Sequence, residues 1–149
     1  MLTEKDFCDF ETCVALKELG FAEKCMAYYD PDDNVGLLYN VGYSDSLSTV
    51  QYDDLLESNN IDDEYLIDAP TLYEAHKWLR KKKDIKLDVY SSHDGWTWEF
   101  TEPYKKGWDR VYMPNKELNP KLKDDDWYDE YEDALQDGIR KVIDVLKKK

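Results

Sequence analysis

Between Ala69 and Phe100 the apolar residues first recur at helical spacing and then alternate with polar ones, and the rest of the chain repeats that change of period. Pro70 blocks an earlier helix start, Thr71 is placed as N-cap with Glu74 three residues on, and Leu72, Ala75, His76 and Leu79 form an apolar stripe. Lys77, Arg80, Lys81, Lys82 and Lys83 load the last turns with cations, where the helix dipole favours them, and Asp84 ends the helix. After Ile85, Leu87 and Val89 alternate with polar neighbours, Asp94-Gly95 supplies a tight turn, and Trp96, Trp98 and Phe100 alternate again. This pattern predicts a helix followed by a hairpin that packs on it.

The N-terminal stretch has the same order. Asp9 is a candidate N-cap for a helix through Leu19, with Phe10, Cys13, Val14 and Leu16 as apolar positions and Gly20 placed to end it in the left-handed conformation. The run from Cys25 to Tyr29, the turn Asp30-Pro31-Asp32-Asp33-Asn34 and the return through Val35, Leu37, Leu38 and Tyr39 read as a hairpin. The stretches 9–40 and 71–101 therefore look like two copies of one helix-hairpin unit. Between them, residues 40–68 form an acidic linking segment, read as a long loop with local structure and a short strand at Tyr65, Leu66 and Ile67. Beyond Pro103, Trp108 to Met113 can add a strand. Asp129 with Glu132 is placed as a capping box for a last helix, whose apolar positions are Tyr131, Leu135, Gly138 or Ile139, Val142, and Val145 or Leu146. The predicted fold is α+β in a single domain, residues 1–149: one antiparallel sheet from two helix-hairpin units plus a further strand, packed by three helices including a C-terminal one.

Composition agrees with a folded chain, since 42% of residues are hydrophobic and the 149 residues include 5 Trp, 12 Tyr and 4 Phe, too apolar for a disordered acidic polymer. Charge changes the picture more. Residues 1–70 hold 17 acids and 3 bases, whereas residues 71–149 hold 17 of each, so the whole net charge of -14 sits in the first half. A surface of that kind has no general affinity for phosphate backbones, repels its own copies and steers towards basic partners. The cations from Lys77 to Lys86 read as a solvated helix end.

Candidate chemistry is sparse. Asp30, Asp32 and Asn34 begin with the spacing of a calcium loop, but Val35 stands where the sharp-turn glycine is required and Val41 where the bidentate glutamate is required. The acids from Asp124 to Asp133 read as a solvated helix start. Cys8, Cys13 and Cys25 include no CxxC pair, and with only two histidines beside them they read as unbridged buried thiols. His93-Asp94 in its turn has no nucleophile elbow or glycine-rich loop to serve, and His76 falls on the apolar side of its helix. The expectation is a protein without catalytic residues, metal or cofactor. The N-terminus MLTEKDFCDF lacks the basic flank and apolar core of a signal peptide, and there is no run of about 18 apolar residues, so the cytoplasm is the expected compartment and no membrane is expected to be involved.

Two stretches resemble a known family. Ala69-Pro70-Thr71-Leu72-Tyr73-Glu74-Ala75 continuing to Lys77-Trp78-Leu79-Arg80, and Tyr131-Glu132-Asp133-Ala134-Leu135 with Gly138-Ile139, are similar to a family of small uncharacterised proteins of Bacteroides-type gut bacteria and of their phages and prophages, and FETCVALKELGF is similar to its opening helix. That family carries no assigned activity, so the resemblance implies a bacterial or phage cytoplasmic protein and transfers no catalytic residue. Separately, the C-terminal order of helix, three strands and helix is that of a double-stranded-RNA-binding domain. That analogy does not carry the function, because the last helix here starts in DDDWYDEYED where such a domain needs cations.

More aromatics are present than one small core uses, and Tyr anchors partner surfaces well. The candidate interaction surface is therefore Tyr28, Tyr29, Tyr39 and Tyr43 framed by Asp53, Asp54, Asp62 and Asp63, and the expected partner is a basic protein, with no direct contact to nucleic acid. The alternative is a nucleic-acid mimic, in which the acids of residues 30–68 imitate phosphates and occupy the site of a host DNA-binding protein or nuclease.

Overall fold

The structure, a computed structural model of the chain, describes residues 2–32, 36–39, 66–103, 109–114 and 127–148. It is α+β, with three α-helices and two three-stranded antiparallel sheets among the described residues. The strands thus lie in two sheets where the sequence pattern suggested one. The chain divides into two compact units, Met1–Tyr73 and Glu74–Lys149.

In the N-terminal unit, α1 (Phe10–Glu18) begins as the capping pattern predicts, with the Asp9 carboxylate accepting from the Thr12 N–H at 2.9 Å. It ends in a Schellman arrangement: Gly20, at φ +100°, donates to the Lys17 carbonyl at 3.0 Å and Phe21 to that of Leu16 at 2.9 Å. A side chain at Gly20 would be strained in that region, so this glycine sets where the helix stops. Thr12, Cys13 and Leu16 are buried from α1, whereas Phe10, expected in the core, is 40% exposed. Strand β1 (Ala27–Tyr29) is central. It pairs with β2 (Leu38–Tyr39) on one side and with β3 (Ile67–Ala69) on the other, the latter in the register Ala27 to Ala69, Tyr28 to Asp68 and Tyr29 to Ile67. The segment before α1 is tied to the end of β3 by the Cys8 N–H donating to the Pro70 carbonyl at 3.0 Å and by a bridge between Phe7 and Thr71.

The C-terminal unit takes up α2 (Leu72–Lys83) from Glu74 onward, β4 (Lys86–Ser92), β5 (Gly95–Pro103), β6 (Asp109–Tyr112) and α3 (Tyr131–Lys147), with the strands in the order β4-β5-β6. The two-residue turn His93-Asp94 joins β4 to β5 and sets Ser92 opposite Gly95, so Leu87 faces Phe100 and Val89 faces Trp98 on one side of the sheet. Gly95 has φ +137° and lies against the Tyr128 carbonyl, which leaves no space for a Cβ. That close approach lets Trp96 and Tyr128 exchange backbone hydrogen bonds of 2.8 and 2.7 Å. Trp98 and Phe100 are buried at 4% and 1% exposure, and Phe100 stacks on Tyr112 with ring centroids 4.6 Å apart. Burial of a ring such as Phe100 contributes up to roughly 3 kcal/mol of hydrophobic stabilisation.

Helix α3 packs on that side of the sheet through Ala134, Leu135, Gly138, Ile139, Val142 and Ile143. Its start corrects the sequence reading: the N-cap is Glu130, with no side-chain cap hydrogen bond, so the predicted Asp129–Glu132 box is not formed. Tyr131 is 37% exposed rather than in the core, its ring edge-on to Trp96 at 5.2 Å. In α2 the buried face includes Trp78 and Leu79, while His76 is half-buried and places Nε2 2.7 Å from the Leu87 carbonyl. Because Trp96 directs its backbone groups to Tyr128, alternation along the antiparallel ladder turns the Leu87 carbonyl outward from β4. His76 occupies that position on the edge strand.

Candidate functional site

Alternation along β1 divides the candidate tyrosines. Ala27 and Tyr29 point to the interior, at 1% and 9% exposure, and Tyr28 points the other way, half-buried. Tyr29 is consequently a core residue and no exposed anchor: its hydroxyl donates to the Cys8 carbonyl at 3.0 Å, and the Phe10 ring meets it edge-on at 5.6 Å. Tyr28 faces Leu38 across β2 and Asp68 across β3, so a row of apolar, aromatic and acidic side chains crosses the outer side of the sheet. Asp30 follows directly, accepting at Oδ1 from the Asp32 N–H at 3.0 Å as the chain turns. Tyr39 sits in register with Ala27. Tyr43, Asp53, Asp54, Asp62 and Asp63 lie outside the described residues, as do Asn34, Val35 and Val41 of the calcium-like pattern.

Sequence reasoning put Leu38 on the strand that returns beside Tyr28, but it did not put Asp68 there. For Asp68 the signal was present in Ile67-Asp68-Ala69, an apolar-polar-apolar triplet before Pro70 that reads as a half-buried strand. What the sequence does not encode is which strand this triplet pairs with.

Behind that face the three cysteines are buried, at 0%, 1% and 1% exposure for Cys8, Cys13 and Cys25. The Cys13 thiol donates to the Cys8 carbonyl at 3.5 Å, and its pKa is pushed far up, first by the hydrogen bond with Cys8, then by burial, then by neighbouring charges including Asp68. Such a thiol stays protonated and is a poor nucleophile. In the C-terminal unit His93 and Asp94 are 3.6 Å apart at the hairpin tip, with side chains 93% and 49% exposed. Among the described residues no group of three or more His, Cys, Asp or Glu is arranged to hold a metal ion, and no helix is long and apolar enough to cross a membrane.

No protein-family model, curated protein or solved structure matches the chain.

Proposed function

We propose that this chain is a small acidic interaction protein of the cytoplasm, of bacterial or phage origin, which binds a basic protein surface through the outer side of the β2-β1-β3 sheet. The observation that supports this most is the position of Tyr28: half-exposed on a central strand, with Leu38 on one side and Asp68 on the other, in the half of the chain where 17 acids meet 3 bases. A tyrosine face beside a carboxylate suits an arginine or lysine side chain, which stacks on the ring while its charge is met by the acid. Neither nucleic acid nor a membrane enters this proposal, and no catalytic residue, metal or cofactor is assigned. The finer reading of the fold, a duplicated helix-hairpin unit over 9–40 and 71–101, belongs with it, since each stretch is a helix followed by antiparallel strands. The mimicry alternative draws on the acids of residues 30–68, most of which lie outside the described residues, and nothing described favours it.

The test is affinity capture from the native host at low salt and at about 1 M salt, where the Debye length falls to about 3 Å. Basic proteins should be retained by the wild type at low salt and released at high salt. The double variant Tyr28→Ala, Asp68→Asn should retain none of them while keeping its circular dichroism spectrum. Equal recovery by wild type and variant would contradict the assignment of this face.

A further inference from the structure

The densest basic surface described in the molecule is the exposed side of α2. Lys77, Arg80, Lys81 and Lys82 are exposed, Lys86 is exposed at the start of β4, and no acid stands between Ala75 and Lys83. At one helical turn per 3.6 residues, Lys77, Arg80 and Lys81 share a single face, opposite Ala75 and Leu79, which are buried at 0% exposure. Six cations in the ten residues from Lys77 to Lys86 are unexpected in a chain whose net charge is -14. The N-terminal unit is their electrostatic opposite, with Glu4, Glu11, Glu18 and Glu23 exposed in addition to the Tyr28–Asp68 face.

We infer that the cationic ridge of α2 docks on the acidic N-terminal unit of a second copy of this chain, so that the protein self-associates through unlike surfaces. This rests on the proposed function, because it identifies one basic surface that the acidic unit accepts. Every copy carries both surfaces, and the contact is therefore heterologous: it either closes into a ring or adds further copies. A nucleic acid is the poorer occupant. The ridge presents few cations, while the whole molecule repels phosphate.

The inference has a distinctive salt signature. Two copies of charge -14 repel one another at long range when ions are scarce, whereas at about 0.15 M the Debye length of about 8 Å screens distant charges and leaves close contacts attractive. Self-association should therefore be weak in very dilute salt, greatest at intermediate salt and absent near 1 M. Binding of a small basic peptide to the N-terminal unit should instead decline steadily as salt rises.

Sedimentation equilibrium of the full chain across that salt range provides the test. The weight-average mass should rise from 17.7 kDa with concentration at intermediate salt, passing twice that value as copies add or levelling at the mass of a closed ring, and return to 17.7 kDa at high salt. The variant Lys77→Glu, Arg80→Glu, Lys81→Glu should stay at the monomer mass throughout. A matched variant with Lys141→Glu, Lys147→Glu and Lys148→Glu has the same net charge and should still associate. A wild type that stays monomeric at every salt concentration overturns the inference, as does equal loss in both variants, or ridge-dependent binding of a duplex RNA oligonucleotide in place of self-association. If the wild type is monomeric yet still binds a lysine-rich peptide in a Tyr28-dependent way, self-association fails and the proposed function stands. If the peptide is also ignored, both fail.

Discussion

At Cys13 the fold overrides ordinary thiol chemistry. The hydrogen bond with Cys8, burial, and the nearby charge of Asp68 all favour the protonated form, so the folded pKa lies far above that of a thiol in the unfolded chain. An acid whose folded pKa is raised lends its full stabilisation below the unfolded pKa, about 8.5, and loses it as the pH climbs above that value, at up to about 1.4 kcal/mol per pH unit. Urea unfolding at neutral pH and at a pH about one unit above that thiol value should show the wild type losing about 1 kcal/mol more than Cys13→Ala does. Parallel losses would mean that the thiol ionises equally in both states. The choice between Tyr28 and Tyr29 belongs to the same scale. In Cys25-Met26-Ala27-Tyr28-Tyr29 no period-two alternation marks which tyrosine faces inward, and a shift of one residue exchanges the two sides of a strand. The sequence therefore places two tyrosines on this strand without marking which one faces the interior.

Among the elements, legibility follows length and turn chemistry. The β4–β5 hairpin could be read in advance because seven paired positions alternate on either side of a polar turn, although that turn is His93-Asp94, one residue before the predicted Asp94-Gly95, and Gly95 already pairs with Ser92. α1 could be read because Asp9 and Gly20 bound it. β1, β2 and β3 are two or three residues long, and their assembly into a separate sheet depends on pairing between 27–29 and 67–69, far apart in sequence and unmarked by any local signal. The start of α3 misled for a related reason: capping residues spaced as a box were present, while the Trp96–Tyr128 bridge fixes the chain shortly before the helix begins. Packing of α3 on its sheet gives the sharpest test at this scale. A Cβ on Gly138 would fall 2.9 Å from Leu87 Cδ1 and 3.2 Å from Trp98 Cγ. Gly→Ala in an exposed helix gains roughly 1 kcal/mol. Here overpacking costs about 1–3 kcal/mol, so Gly138→Ala should lower stability by about 1 kcal/mol on balance in chemical denaturation. A stabilised variant would show that helix and sheet are less closely packed than described.

For the whole molecule the governing fact is the uneven charge. The N-terminal unit carries all of the excess acid, and the C-terminal unit balances 17 acids with 17 bases, several of them on one side of α2. Charge of this magnitude directs association more than it specifies a fold, and it makes every contact of the acidic unit dependent on salt. The division itself was readable by counting residues, whereas the surface proposed for binding is built by the pairing of β1 with β2 and β3. The most direct measurement of that surface is a nitrogen–proton correlation spectrum of the isotope-labelled full chain, recorded while a short lysine- and arginine-rich peptide is added at low salt. The amides that shift should cluster at Ala27–Tyr29, Leu38–Tyr39 and Ile67–Ala69, and the shifts should vanish as the salt is raised. Absence of any shift at low salt, or shifts confined to the C-terminal unit, would contradict the account.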